Sequence, residues 1–441
     1  MTVTSVEAFR RDVYREHLDE AAFLRVRRDA LRGSEETVGG VADVEAALHA
    51  HVDALRIGGR TARSLCEAAL PEGDADVRFV VTLLACLECD AELLSAAVST
   101  VRPDDAAAAA AVGSAMALAW PASWNGSLVD ATQRAAAHLV PVLLGVAGYR
   151  RLDCGPRAME ALEAHPREAL RAIGRVRWRD GREAVCRHLW HADPAVRFQA
   201  FVAASRLGDP RGLSTARECA PDDGVAQLAL GLAGDGGDAG RLAAIAASTR
   251  GSPQAVAALG LIGDDTSWSA LLALLERPAL APAAANALAL IAGDAPRERH
   301  FVPERPDPDA MSASERLAWE TDGTLPVRSD GRPYGTVVSR PSTRRADWER
   351  CAAERGLPLG VGVRMRGGSA CDPAGAVRAL ARGGLHPQLR ELCIEELGIR
   401  QDDGGLEHDM FVDEQDERLG ALASRLREGG AGRLANGERA R

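Results

Sequence analysis

LGLIGDDTS, residues 259–267, is the stretch that decides the fold: an Ala/Leu-rich run ends in Gly, then Asp opens a short turn. The phrase recurs as AIGRVRWRDG around Gly174, SRLGDPRG around Gly208, LGLAGDGGD around Gly234 and LALIAGDAP around Gly293. Successive glycines stand 34, 26, 29 and 30 residues apart. Two helices of about eleven residues and two turns of a few residues fill such a period. In the Pro194–Ala220 unit, Val196, Phe198, Ala200, Phe201, Ala204 and Leu207 give the first helix its apolar side, and Leu213, Ala216 and Cys219 serve the second. One hairpin cannot bury its own apolar face, so neighbours must stack on it. The pattern predicts an all-α fold, an α-solenoid built as a right-handed superhelical stack of helical hairpins with helical caps at both ends.

Working outward, residues 1–59 read as an N-terminal helical cap, in which Val41, Val44, Leu48, Val52 and Leu55 form an amphipathic stripe. Residues 60–295 read as the solenoid, with Asp104 or Asp105 capping the Ala-rich helix that follows. Residues 296–347, rich in Pro, Gly and charge, read as a connector or long loop. Trp319 and Trp348 suggest that parts of it dock on the repeats. Residues 348–426 read as a C-terminal helical cap and 427–441 as a disordered tail.

Hydrophobic residues make up 46% of the chain but aromatic ones only 4%, so the core must be built from Ala, Leu and Val. Small side chains let helices approach closely. A net charge of −10 argues against a surface that binds nucleic acid or an anionic membrane as a whole. Every basic residue other than His is Arg, which reads as high-GC coding bias. The nine cysteines are odd in number and irregular in spacing, which fits a reducing compartment better than a disulfide framework. The N-terminus lacks an apolar signal core, and the Ala-dominated run 106–120 is too short to span a bilayer. The expected setting is the cytoplasm of a bacterium, without a membrane partner.

The repeat phrase resembles the short HEAT-like repeats first described in phycobilisome lyases, over residues 155–293. The whole chain is similar to an uncharacterised family of bacterial HEAT-like proteins, some of which occur near type VI secretion loci. The stretches that carry the likeness are HLDEAAFLRVRRDAL (17–31), LHAHVDALRIGG (48–59), SAMALAW (114–120), VRFQAFVAASRLGD (196–209) and ANALALIAGD (285–294). RADWERCAAERGLPLGVGVR (345–364) and LRELCIEELGIR (389–400) extend it to the C-terminal cap. The Pro/Arg-rich stretch 325–345 departs from the family pattern. The resemblance implies a non-enzymatic scaffold or adaptor for a protein partner, an accessory of a type VI secretion system among the settings. It carries over no catalytic, cofactor or metal residues.

The residues themselves offer few candidates for chemistry. Cys86 and Cys89 form a C-x-x-C, but a zinc or redox site needs a second pair or another context. Both read as small buried side chains on one helix. His188 and His191 lack further ligands at a known spacing. The richest stretch is the basic cluster Arg167, Arg171, Arg175, Arg177, Arg179, Arg182 and Arg187, interleaved with Trp178 and Trp190. From it, Arg175, Arg177, Trp178, Arg182 and Trp190 are the candidate partner-binding residues. A rival reading takes the cluster as the concave basic surface of a nucleic-acid-binding HEAT-like protein, like a DNA glycosylase of that fold. The chain's acidity disfavours nucleic acid. A bilin-handling reading would need a chromophore site, which repeat similarity alone cannot supply.

Overall fold

The structure, a computed structural model, describes residues 6–34, 38–303, 311–327, 331–360, 362–401 and 404–437. Helices α1 (Val6–Gly33) and α2 (Val38–Ile57) form an N-terminal hairpin, with Val41, Val44, Leu48, Val52 and Leu55 buried as the stripe predicts. Then follow α3 (Gly59–Ala69), α4 (Ala75–Leu87), α5 (Ala91–Ser99), α6 (Ala106–Ala119), α7 (Asn125–Arg134) and α8 (Val140–Tyr149). The central helices are α9 (Gly155–Ala161), α10 (Pro166–Val176), α11 (Arg182–Arg187), α12 (Pro194–Arg206), α13 (Pro210–Cys219) and α14 (Gly224–Ala233). Next come α15 (Gly236–Ala247), α16 (Pro253–Ile262), α17 (Asp265–Leu274) and α18 (Ala281–Ala292). The fold is all-α apart from four short strands among the described residues. No single helix among these residues is long and apolar enough to cross a membrane.

Alternate helices pack in series. Each of α4, α6, α8, α10, α12, α14, α16 and α18 contacts the next in that order, forming a first row. The odd-numbered helices from α3 to α17 make up a second row, which packs closely in series only at its two ends, where α3 meets α5 and α15 meets α17. Glycine sets the spacing of the first row. A Cβ added at Gly148, Gly174, Gly231 or Gly260 would stand 2.9, 2.8, 2.7 or 2.8 Å from Ala172, Ala203, Ala258 or Ala287 of the next first-row helix. These helices therefore touch nearly backbone to backbone, which explains a core poor in aromatic residues.

The Gly–Asp phrase has two parts with separate causes. A left-handed residue ends six of the eight first-row helices: Cys89 (φ 53°), Arg151 (57°), Arg177 (56°), Gly208 (67°), Gly263 (64°) and Gly293 (84°). Gly174 is not one of these ends, as the phrase suggests, but lies inside α10. Its missing side chain serves the contact with Ala203, and Arg177 takes the left-handed position. The Asp that follows caps a helix of the next row. Asp209 accepts from Arg211 N, Asp235 from Gly237 N and Asp264 from Ser267 N. Asp105, not Asp104, caps α6. An arginine 26 or 27 positions upstream reaches several of these caps, as in Arg63–Asp90, Arg78–Asp105, Arg182–Asp209 and Arg197–Asp223. The cap and the clasp together tie successive helices to one another.

The stretch expected to be a connector forms two paired strands and a helix among its described residues. β1 (Arg297–Pro303) pairs antiparallel with β2 (Gly335–Pro341), and α19 (Ala313–Asp322) lies between them in sequence. The consecutive charges Arg297, Glu298 and Arg299 conceal β1 from a reading by composition, although burial alternates along the strand. α20 (Arg345–Arg355) then buries Trp348, whose Nε1 donates to Ser342 O at 2.6 Å and whose ring meets Trp268 edge-on. Trp319 is only half-buried. The chain continues through β3 (Met365–Arg366), β4 (Ser369–Ala370), α21 (Pro373–Ala381), α22 (Pro387–Arg400) and α23 (Val412–Gly437). α23 thus continues into the stretch expected to be a disordered tail, and residues 438–441 lie outside the described residues.

Gly231→Ala should destabilise the fold by about 1–3 kcal/mol, because the added methyl would stand 2.7 Å from the Ala258 Cα, a backbone atom that cannot swing aside. Gly240→Ala, in α15 with nothing near its Cβ, should instead stabilise by about 0.5–1 kcal/mol through helix propensity. Urea unfolding of the two variants checks both signs.

Candidate functional site

A helix leaves its last four carbonyls without internal donors. In this protein the C-terminal ends of the first-row helices share one side, and the segment from Arg364 to Val412 runs back along it. At the α16 and α18 ends, backbone N–H groups of this segment donate directly. Met365 N reaches Gly263 O at 2.9 Å, Gly367 N reaches Leu290 O at 3.0 Å and Gly368 N reaches Ile291 O at 2.8 Å. Guanidinium groups supply the rest. Arg366 donates to Gly260 O and Leu261 O at 2.9 and 2.7 Å, Arg364 to Leu261 O at 2.7 Å and Arg400 to Gly234 O at 2.9 Å. Cations at helix C-termini also meet the negative end of the helix dipole.

Buried carboxylates neutralise these arginines. Glu396 of α22 receives Arg366 at 2.7 Å, Arg400 at 3.1 Å and Arg364. Burial opposes the charge on Arg366, but Glu396, Cys393 and Cys371 together outweigh it and hold the guanidinium above its ordinary pKa. Glu395 pairs with Arg206 of α12 at 2.8 Å. Glu407, 2% exposed, receives Arg151 at 2.5 Å, Arg175 directly and Arg171 at 3.8 Å. At the N-terminal end, Arg28 of α1 binds Glu45 of α2 at 2.6 Å, and Glu45 in turn accepts from Val412 N at 2.6 Å. Arg28 also donates to Asp409 O and Met410 O and lies over the Phe411 ring at 5.0 Å.

The sequence-predicted residues fall on this frame in different places. Arg175 is buried on the seam, where desolvation and the neighbouring Arg171 lower its pKa to about 10 against the pull of Glu407. Arg177 donates to Gly398 O and Gln401 O, both at 2.8 Å, and so covers the end of α22. Trp178 packs over Gly155 and Gly181, too close for a side chain at either. Arg182 donates to Leu207 O at 3.2 Å and approaches the cap Asp209 at 3.5 Å. Trp190, 60% exposed, stands in the turn after α11. The structure thus puts Arg175 and Arg177 on the seam, Trp178 and Arg182 in packing between repeats, and Trp190 at the surface.

The remaining candidates are locally satisfied. Cys86 is buried, which pushes its thiol up to about 12, whereas Cys89 lies beyond the end of α4 and is exposed. The C-x-x-C therefore does not share one helix as its spacing suggests. His188 donates to Ala184 O at 2.8 Å and stacks on His191 with ring centroids 6.0 Å apart. Glu407, His408 and Asp409 could bring ligand atoms within reach of one ion, but arginines already hold the Glu407 carboxylate.

Sequence reading missed the acids of the seam. Their signal is faint: Glu395 and Glu396 sit between Ile394 and Leu397, inside an otherwise apolar helix face. No protein-family model matches the chain, and no curated protein matches it.

Glu396→Gln should cost about 3–5 kcal/mol in urea unfolding, since it strands the buried Arg366. Glu395 gives a pH test. Burial pushes its carboxyl up, but Arg206 and Arg175 hold it down at about 2. The unfolded chain takes up this proton first, at about pH 4.3. Its stabilising effect is therefore complete above that value and is lost as pH falls toward 2. Glu395→Gln should flatten the acid limb of stability against pH in that window.

Proposed function

We propose that the chain is a non-enzymatic scaffold or adaptor, an α-solenoid of HEAT-like helical hairpins that presents a surface to a protein partner. The observation that supports this most is the serial contact of alternate helices with a recurring helix-end residue. Such a stack grows by repetition and offers an extended surface. An accessory role at a type VI secretion apparatus is what the family resemblance adds.

The partner surface differs from the one the basic cluster first suggests. Arg175, Arg177 and Arg182 are engaged within the chain, so the partner meets the second row, where Trp190 is exposed. An exposed Trp beside Arg and His residues is a typical interface anchor. The same engagement takes up Arg175, Arg177 and Arg182 of the seven arginines on which the nucleic-acid reading rests, while Arg167, Arg179 and Arg187 stay exposed.

Two measurements test this. Trp190→Ala should leave unfolding unchanged within about 0.5 kcal/mol, as an exposed site does, yet lose whatever protein co-purifies with the wild type from a native lysate. The chain should also flow through a DNA column at low salt. Retention that falls steeply with added salt would instead favour the nucleic-acid reading.

A further inference from the structure

A cavity of about 220 Å³ opens where the N-terminal hairpin meets the C-terminal cap. It exists only because the two ends of the chain are brought together, and the seam residues Glu45, Met410 and Val412 form part of its wall. Its size falls below the ~300–1,000 Å³ of sites for drug-sized ligands, so it admits only a small molecule.

Its polar lining comes from Arg32, Glu45, Gln388, Arg390, Glu391, His408 and Gln415. Glu45 accepts from Arg28 on one oxygen and from Val412 N on the other. Glu391, half-exposed, lies 3.7 Å from His408. The two arginines are less well matched. Arg390 donates to Leu380 O at 2.6 Å and to Gln415 Oε1 at 2.9 Å, and no carboxylate among the described residues lies within ion-pair distance of it. Arg32 donates to His408 O at 3.2 Å, and its nearest carboxylate, Asp29, is 3.9 Å away and itself half-exposed. Elsewhere along the seam Arg28, Arg175, Arg206 and Arg366 each have a carboxylate at hydrogen-bond distance. A guanidinium carries five N–H donors, so both cavity arginines keep donors to spare. Burial lowers the pKa of each, and for Arg32 the nearby Arg28 adds to it. The first turns of α22 and α23, through Pro387 and Val412, border the same space with the positive ends of their dipoles.

We propose that this cavity binds a small carboxylate or phosphate anion, held by Arg32 and Arg390. Either anion can take two parallel N–H bonds from a guanidinium. The bound anion would link the α1 end to α22, and so join the two ends of the chain. The site does not depend on the partner surface proposed for the second row.

The test is calorimetric titration of the full chain with inorganic phosphate and, separately, with succinate, at matched ionic strength. Saturable one-site binding of phosphate, succinate or both supports the site, and the pattern tells which anion class it takes. Arg390→Gln should weaken that binding by about tenfold or more, with circular dichroism unchanged. Should that variant not fold, Glu391→Gln serves instead. It removes a half-exposed like charge from the wall, so binding should tighten. No saturable binding up to about 10 mM of either anion would overturn the proposal. So would binding that a folded Arg390→Gln leaves unchanged, or that Glu391→Gln fails to tighten.

Discussion

The carbonyls at the C-terminal ends of the first-row helices are the constraint on which the rest of this structure depends. They lie side by side because the helices do, and each needs a donor that its own helix cannot give. The returning segment provides these donors from its backbone and from Arg364, Arg366 and Arg400. Arg366 is thereby buried, so a carboxylate must accompany it, and Glu396 meets that need. Glu395 and Glu407 do the same for the buried Arg206 and Arg175. Replacing such pairs by apolar residues is often neutral, whereas breaking one is costly. The seam therefore fixes where the returning segment sits more than it adds net stability.

The rows themselves rest on two repeated devices. Glycine against alanine brings successive first-row helices into backbone contact, as at Gly231 and Ala258. Capping aspartates terminate each turn and accept an arginine from the repeat before, as Asp223 does from Arg197 at 2.9 Å. Each device is worth about a kilocalorie or two in isolation. Repeated along the stack, they fix the spacing and register of the helices. The returning segment then holds the two ends together through Arg28, Glu45 and Val412.

This arrangement changes what the basic cluster means for function. A run of arginines with interleaved tryptophans reads as a binding surface when only the order of residues is known. Here Arg175 neutralises Glu407, Arg177 covers the end of α22, and Trp178 fills the space over Gly155 and Gly181. Of the five residues singled out, Trp190 keeps its large side chain mostly in solvent.

The sequence by itself determined the helices, most of their boundaries and the repeat period, because these follow from local periodicity, capping and turn chemistry. Val41 to Leu55, the Asp209 cap and α20 to α22 were all legible in that way. It did not reveal that Gly174 lies within a helix, since a glycine that ends a helix and one that admits a neighbour look alike in sequence. It also could not show that arginines near residue 175 meet a glutamate at 407, because 232 positions separate the pair. Only the tertiary structure decided which charges face solvent and which face one another. Burial and ion pairing depend on where the chain returns, and no local pattern records that.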